Sequence, residues 1–182
     1  MQFIRTDIPE VIIIEPRVYE DSRGFFMETY QAREFAEAGI GSNFVQDNHS
    51  RSTQYTLRGL HYQIRHAQGK LVRVVAGEIF DAVVDIRRSS STFGKSIGIL
   101  LSAQNKRQLW IPPGFAHGFF VVSELAEVLY KATDYYDQKA ERCIIWNDPT
   151  LNVTWPIVSG TLPILSPKDL AGKSFTEAEL YE

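Results

Sequence analysis

The chain has 182 residues, which points to one domain over residues 1–182 with room for a sizeable core. At 44% hydrophobic and 12% aromatic residues it reads as globular, not disordered. A formal net charge of −3 offers no basic field, so neither nucleic acid nor an anionic membrane is expected as a partner.

A single cysteine, Cys143, excludes an intramolecular disulfide framework and fits a reducing compartment. The N-terminal stretch carries Arg5, Asp7, Pro9 and Glu10 among its apolar residues, unlike a secretory leader. No apolar run approaches the roughly eighteen residues of a membrane span, and a cytoplasmic location is the expectation.

In chain order, Val11 to Ile14 is an apolar β-branched run that reads as a strand, and Gly24 leads into a second, Phe25 to Tyr30. Gln31 to Ala38 holds good helix formers and ends at Gly39, a favoured residue just past a helix. Lys70 to Val75 and Glu78 to Arg87 read as strands, with Ala76-Gly77 between them as a hairpin turn. Further strands are expected over Ile97 to Ser102, Gln108 to Ile111, Gly118 to Val122, Val128 to Tyr136 and Arg142 to Trp146. Trp155 to Lys173 reads as a surface wrap. Thr176 to Leu180 reads as a short helix, with Thr176 and Glu179 as a capping box. Strands this closely spaced predict an all-β sandwich or barrel, here a jelly roll.

Two segments concentrate the chemistry: Thr56 to Gln63, with His61, and Pro112 to His117. A β-barrel can bring both histidines to one internal cavity. Pro112, Gly114 and His117 resemble the second motif of the cupin superfamily, whose first motif supplies a His-x-His pair and a glutamate. Here Gln63 stands where the second histidine belongs, and Ala67 and Gln68 occupy the carboxylate region. A first-row divalent metal needs about three or four donors. With two missing, and only His49 and His66 as substitutes, no metal is expected.

Acid–base chemistry fits better. A neutral histidine takes a proton near neutral pH and works best beside a carboxylate. Asp169, Asp81 and Asp85 are the candidates. Asp81 and Asp85 alternate with Val83 onto one strand face, and a solvated face and a site role stand level there. Arg58 and Lys70 could stabilise an anion, although each taken singly reads as a surface cation. Tyr130, Tyr135 and Tyr136 read first as packing aromatics, yet a phenol is also a fitting proton donor.

Longer motifs narrow the choice. Gln46 to Ser50, Leu57 to Gln63, Gln68 to Val74, Val84 to Ser90, Gln108 to Pro112, Gly114 to Phe119 and Trp146 to Pro149 resemble the dTDP-4-dehydrorhamnose 3,5-epimerase family, in the same order over nearly the whole chain. The resemblance implies a cofactor-independent, cupin-like jelly-roll enzyme that inverts C3 and C5 of dTDP-4-dehydro-6-deoxy-D-glucose. By motif position, His61 would be the proton acceptor paired with Asp169, Tyr130 the donor, and Lys70 the stabiliser of the enolate oxygen. Arg58 and His117 would belong to the sugar pocket, and Gln46, Asp47 and Asn48 to the nucleotide end. Tyr136 would stack on substrate, with Glu141 and Lys168 as further contacts. Arg23, Phe25 and Glu28 would reach the nucleotide from a neighbouring subunit, making a homodimer with exchanged N-terminal strands. Gln138, Ser91 and Thr56 depart from the family pattern, and Gln138 is placed to alter the setting of Tyr136. Three other readings stand beside this one: a sister 3- or 5-epimerase or ketoisomerase, a non-catalytic binding cupin, and a metal-dependent oxygenase.

Overall fold

A computed structural model describes residues 1–41 and 43–182. In chain order its elements are β1 (Gln2–Arg5), β2 (Ile12–Glu15), β3 (Val18–Asp21), β4 (Gly24–Met27), α1 (Ala32–Glu37), β5 (Gln46–Thr53) and β6 (Leu57–Gln63). There follow β7 (Lys70–Ala76), β8 (Glu78–Asp85), β9 (Ser96–Ser102), β10 (Gln108–Ile111), β11 (Phe115–Val121), β12 (Leu125–Ala132), β13 (Glu141–Cys143) and α2 (Pro167–Leu170). One sheet runs β1-β2-β10-β7-β12-β5, the facing sheet runs β13-β6-β11-β8-β9, and β3-β4 forms a separate two-stranded arm. This is the all-β jelly roll that the strand spacing predicts, of the cupin-like kind that the motif resemblance implies.

Period-two alternation explains which face of each strand is buried against which core. On β8, Ile79 and Val83 enter the core between the sheets, while Ala82 and Val84 enter a second core on the outer side. Asp81 and Asp85 share the inward parity and are fully buried, so the solvated face considered for them does not exist. Val72 and Val74 of β7, Leu109 and Ile111 of β10, and Val128 of β12 meet them from the other sheet.

Two local expectations fail for tertiary reasons. The chain does not form a hairpin at Ala76-Gly77, because β7 pairs with β10 and β12 while β8 pairs with β9 and β11. The chain crosses there between sheets, and a Cβ on Gly77 (φ +73°) would lie 1.8 Å from the Leu125 carbonyl oxygen. Alternation shows that a strand exists but not which strand pairs with it. Thr176 to Leu180 is turn and irregular chain instead of helix. Phe175, Ala178 and Leu180 are drawn onto the outer core, and the Phe175 N–H donates to Asp148 Oδ2 at 2.7 Å. Burial there outweighs a weak local helix preference.

α1 follows the expectation: Gln31 caps it, its side chain accepting from the Arg33 and Glu34 N–H groups, and Gly39 follows the last turn at φ +88°. The strand expected from Val128 to Tyr136 stops at Ala132, where Thr133 Oγ1 accepts from the Gly69 N–H at 2.8 Å. The C-terminal wrap contains an element the sequence reading left out, α2. Pro167 opens it, and Ser166 and Asp169 form a reciprocal capping box.

Candidate active site

A cavity of about 250 Å³ opens between the two sheets. The five-stranded sheet lends it Arg58, His61 and Gln63 from β6, His117 and Phe119 from β11, and Glu141 from β13. The six-stranded sheet lends Ser50 from β5, Lys70 and Val72 from β7, and Tyr130 from β12. The two motif histidines are direct cross-strand partners, His117 opposite His61.

Regular alternation would put Arg58 and His61, three residues apart, on opposite faces. Both line the cavity because the strand is irregular between them. The β6–β11 register shifts between His117 and Phe119, and Gly59 sits at φ +121°. A Cβ there would fall 2.6 Å from Gly118 Cα, so the two backbones meet where a side chain cannot fit.

His61 Nε2 lies 2.7 Å from Asp169 Oδ1, but its N–H is not aligned on that oxygen, leaving a close charge contact without a formed hydrogen bond. Asp169 is otherwise fixed: Oδ1 accepts from the Gly59 N–H at 3.1 Å, and Oδ2 accepts from the Ser166 hydroxyl at 2.6 Å. Burial alone would raise this carboxyl. The contacts with His61, Ser166 and Gly59 outweigh burial and hold it well below the usual carboxylate range. Of the three candidate acids, Asp169 therefore partners His61. Asp81 partners His117 instead, at 3.3 Å from Nδ1. Asp85 serves structure: it accepts from Arg87, Ser90 and Thr92, bonds that outweigh burial and lower it to about 2.

Lys70 is buried, and loss of solvation pushes its ammonium down to about 8, opposed by the charges of Asp81 and Glu141. It is still mostly protonated at neutral pH. Burial and the nearby Lys70 charge lower His117, which therefore stays neutral there and can give its Nδ1–H to Asp81. Burial raises Tyr130, against the pull of Arg58, so its phenol keeps its proton until a strong base forms nearby.

At the rim, Tyr136 donates to Glu141 Oε2 at 2.8 Å, and Lys168 pairs with the other Glu141 oxygen. Gln63, the residue standing where cupins carry a metal-ligating histidine, ties down the loop that carries Tyr136. Its Nε2 donates to the His66 and Tyr135 carbonyls, and its Oε1 accepts from the Asp137 N–H at 2.8 Å. The two spare histidines lie elsewhere, His49 against Glu127 and His66 against Asp134, both exposed.

Not every expected residue reaches the cavity. Gln46 and Asn48 share the inward face of β5, with Gln46 Nε2 donating to Asn48 Oδ1 at 2.9 Å. Asp47 faces the opposite way and pairs with Lys131 at 2.9 Å. Arg23, Phe25 and Glu28 are exposed on or beside the β3-β4 arm, where Arg23 pairs with Asp21 at 2.6 Å. Ser50 lines the cavity without having been expected there, as do Tyr62, Gln63, Gln68, Val72, Phe119 and Val128; for Ser50 a signal existed. The polar alternation Gln46, Asn48, Ser50, Ser52 down one strand face was the signal for it.

Comparison with known proteins places this constellation. The family model described as dTDP-4-dehydrorhamnose 3,5-epimerase matches residues 5–177. A Pseudomonas aeruginosa dTDP-4-dehydrorhamnose 3,5-epimerase is 58% identical over 182 residues, covering 100% of this chain and 99% of the relative. A crystal structure of the Legionella pneumophila dTDP-6-deoxy-D-glucose-3,5-epimerase with dTDP-4-keto-L-rhamnose superposes with a TM-score of 0.96 at 51% identity, covering 100% of this chain and 97% of that one. A Streptomyces bikiniensis 3′-monoepimerase with dTDP-quinovose gives 0.87 at 27% identity over 94% of this chain and 87% of that one. The sheet order, His61 and Tyr130 lining one cavity from facing sheets, and a match along nearly the whole length lead to one conclusion: the chain belongs to the dTDP-4-dehydrorhamnose 3,5-epimerase family.

Proposed function

We propose that this protein inverts C3 and C5 of dTDP-4-dehydro-6-deoxy-D-glucose to give dTDP-4-dehydro-L-rhamnose, with His61 as base and Tyr130 as acid. Both carbons flank the C4 ketone, so removing either proton places negative charge on O4. His61, oriented by Asp169, takes the proton on its other ring nitrogen. The buried Lys70 ammonium holds the enolate charge on O4, where low solvation makes a positive charge most effective. Tyr130 returns a proton to the opposite face, which inverts the centre. The imidazolium and phenolate left behind reset by exchange with water. A base, an oxyanion site and an opposed acid suffice for this chemistry, so no cofactor is invoked.

One observation carries the reading: His61 and Tyr130 come from facing sheets and line the same cavity. Arg58, Lys70 and Lys168 give that cavity a cationic lining suited to a sugar diphosphate, with Glu141 and Tyr136 at its rim. Gln46 and Asn48 extend the polar wall of β5 toward the nucleotide. Asp47 acts from the outer face of that strand.

We assign the nucleotide contacts of Arg23, Phe25 and Glu28 to a second subunit. The β3-β4 arm exposes Tyr19, Phe25 and Phe26, aromatic surface that docking on a partner would bury. The working unit is then a homodimer with exchanged N-terminal strands, each copy of residues 1–182 acting as one catalytic domain in the cytoplasm, where sugar nucleotides are made.

Proton NMR of the 4-keto sugar nucleotide in deuterated water tests the reaction. Deuterium entering at both C3 and C5 is expected. Incorporation at C3 alone would make the protein a monoepimerase.

A further inference from the structure

We propose that His61, Cys143 and Asp169 form a binding site for a thiophilic divalent cation, zinc above all, and that occupancy blocks the epimerase. Their donor atoms all lie within 4.8 Å of one another: a ring nitrogen, a sulfur and a carboxylate oxygen. The three arrive from separate elements. Cys143 of β13 is the direct cross-strand partner of His61 on β6, and Asp169 closes over the pair from α2. The catalytic reading uses His61 and Asp169 but gives Cys143 no task.

The set has the composition and spacing zinc prefers. Tetrahedral coordination with bonds of about 2.0 Å to nitrogen or oxygen and about 2.3 Å to sulfur puts donors roughly 3.3 to 3.7 Å apart. The present spread runs from 2.7 Å for His61 Nε2 to Asp169 Oδ1 up to that 4.8 Å limit, so small side-chain rotations reach it. Asp169 is immobilised by Ser166 and Gly59 and presents a fixed oxygen. A second observation points to a ligand: His61 Nε2 is sealed from solvent, makes no aligned hydrogen bond and faces the Asp169 carboxylate at 2.7 Å, so a cation entering there would take the place of the Nε2 proton. Sulfur plus imidazole favours zinc over magnesium or calcium.

The cluster forms part of the wall between two openings. His61 borders the catalytic cavity, while Cys143 borders an outer crevice with Gln138, Lys173 and Glu179. Binding exchanges the thiol proton for the metal: the S–H bond breaks, a sulfur–zinc bond forms and one proton leaves to solvent. On His61 the Nε2–H bond gives way to a nitrogen–zinc bond and the ring proton moves to the other ring nitrogen, which then has no lone pair left to accept a proton from the sugar. Inhibition thus rests on the reading of His61 as the base, whereas binding does not.

Two readouts on the intact, metal-free protein separate these. Zinc is titrated in competition with a chromophoric chelator, and cobalt binding is followed by its thiolate charge-transfer absorption. In parallel, deuterium exchange at C3 and C5 is measured against zinc and then with EDTA. We expect one zinc per chain, exchange lost in step with occupancy, and recovery in EDTA. Cys143→Ser and Cys143→Ala should keep their metal-free exchange rate within about twofold and bind zinc at least about tenfold more weakly. Substoichiometric binding, no thiolate band with cobalt, or unchanged affinity in both variants would overturn the site. Full occupancy with undiminished exchange would leave the site standing and remove both the inhibition and His61 as base.

Discussion

The two sheets close their outer faces differently. The five-stranded sheet is sealed by its own chain: Trp155, Phe175, Ala178 and Leu180 from the C-terminal wrap cover Leu57, Ala82, Val84, Phe120 and Ile144. Among the described residues, the six-stranded sheet is covered at one end, where Phe35 and Ile40 pack on Ile12, Ile14, Leu71 and Trp110. Beyond them Val75 is 40% exposed, and the aromatic β3-β4 arm stands free. The sealed sheet carries His61, the proposed base, and the wrap that seals it also delivers Asp169 to that histidine. The open sheet carries Tyr130 and Lys70, the proposed acid and oxyanion cation, and its exposed face is where the proposed second subunit would dock. Packing and catalysis are thus coupled within one chain on one side and, in the proposed dimer, across two chains on the other.

The sharpest test of this division is at the base itself. His61→Asn should slow exchange at both C3 and C5 by about 10³-fold while calorimetry shows dTDP affinity unchanged. Tyr130→Phe should separate the two roles, keeping exchange at C–H while losing inverted product. Equal loss of both signals in the two variants would dissolve the division between the sheets.

Next in size is the seal. Trp155→Ala removes a buried ring and the 2.8 Å bond from its Nε1 to the Trp146 carbonyl, and should cost about 3–5 kcal/mol in chemical denaturation. Val75→Ala on the open sheet should cost under about 1 kcal/mol. Comparable losses at the two positions would show that the open face is buried in solution.

Gly59→Ala probes the junction of β6 with β11. Overpacking against Gly118 should cost about 1–3 kcal/mol and lower kcat by displacing Arg58 and His61. A variant as active as the parent would mean the irregularity does not position them.

The smallest effect is in the pH profile. In the proposed mechanism Lys70 is needed as a cation, and burial lowers it to about 8, so kcat/KM should fall as pH rises through that value, to roughly half there. Below pH 7 the ammonium is retained and this limb is flat. A profile unchanged up to pH 10 would remove Lys70 from the oxyanion role.

Much of this was legible in the chain. Closely spaced β-branched runs with Gly, Pro and Asn between them announced the strands, and Gln31 to Gly39 announced α1 with its cap. The motif histidines and the missing cupin ligands pointed to acid–base chemistry in a barrel. Other features depended on partners distant in sequence. By chemistry alone Asp81, Asp85 and Asp169 were all candidates and only the family resemblance paired Asp169 with His61; strand pairing and α2 give the three carboxylates three different tasks. Ala76-Gly77 reads as a turn in any local window, yet it is a crossing between sheets.

By itself, the sequence determined the strand content, the jelly-roll class and the residue types able to move a proton beside a ketone, because alternation, turn chemistry and side-chain pKa are local properties. Only the tertiary structure decided that Asp81 stands against His117, that Arg58 and His61 share one cavity, and that Cys143 lies across from His61. Those facts follow from register and from the path of the C-terminal wrap, which long-range pairing and burial select, and which no stretch of neighbouring residues encodes.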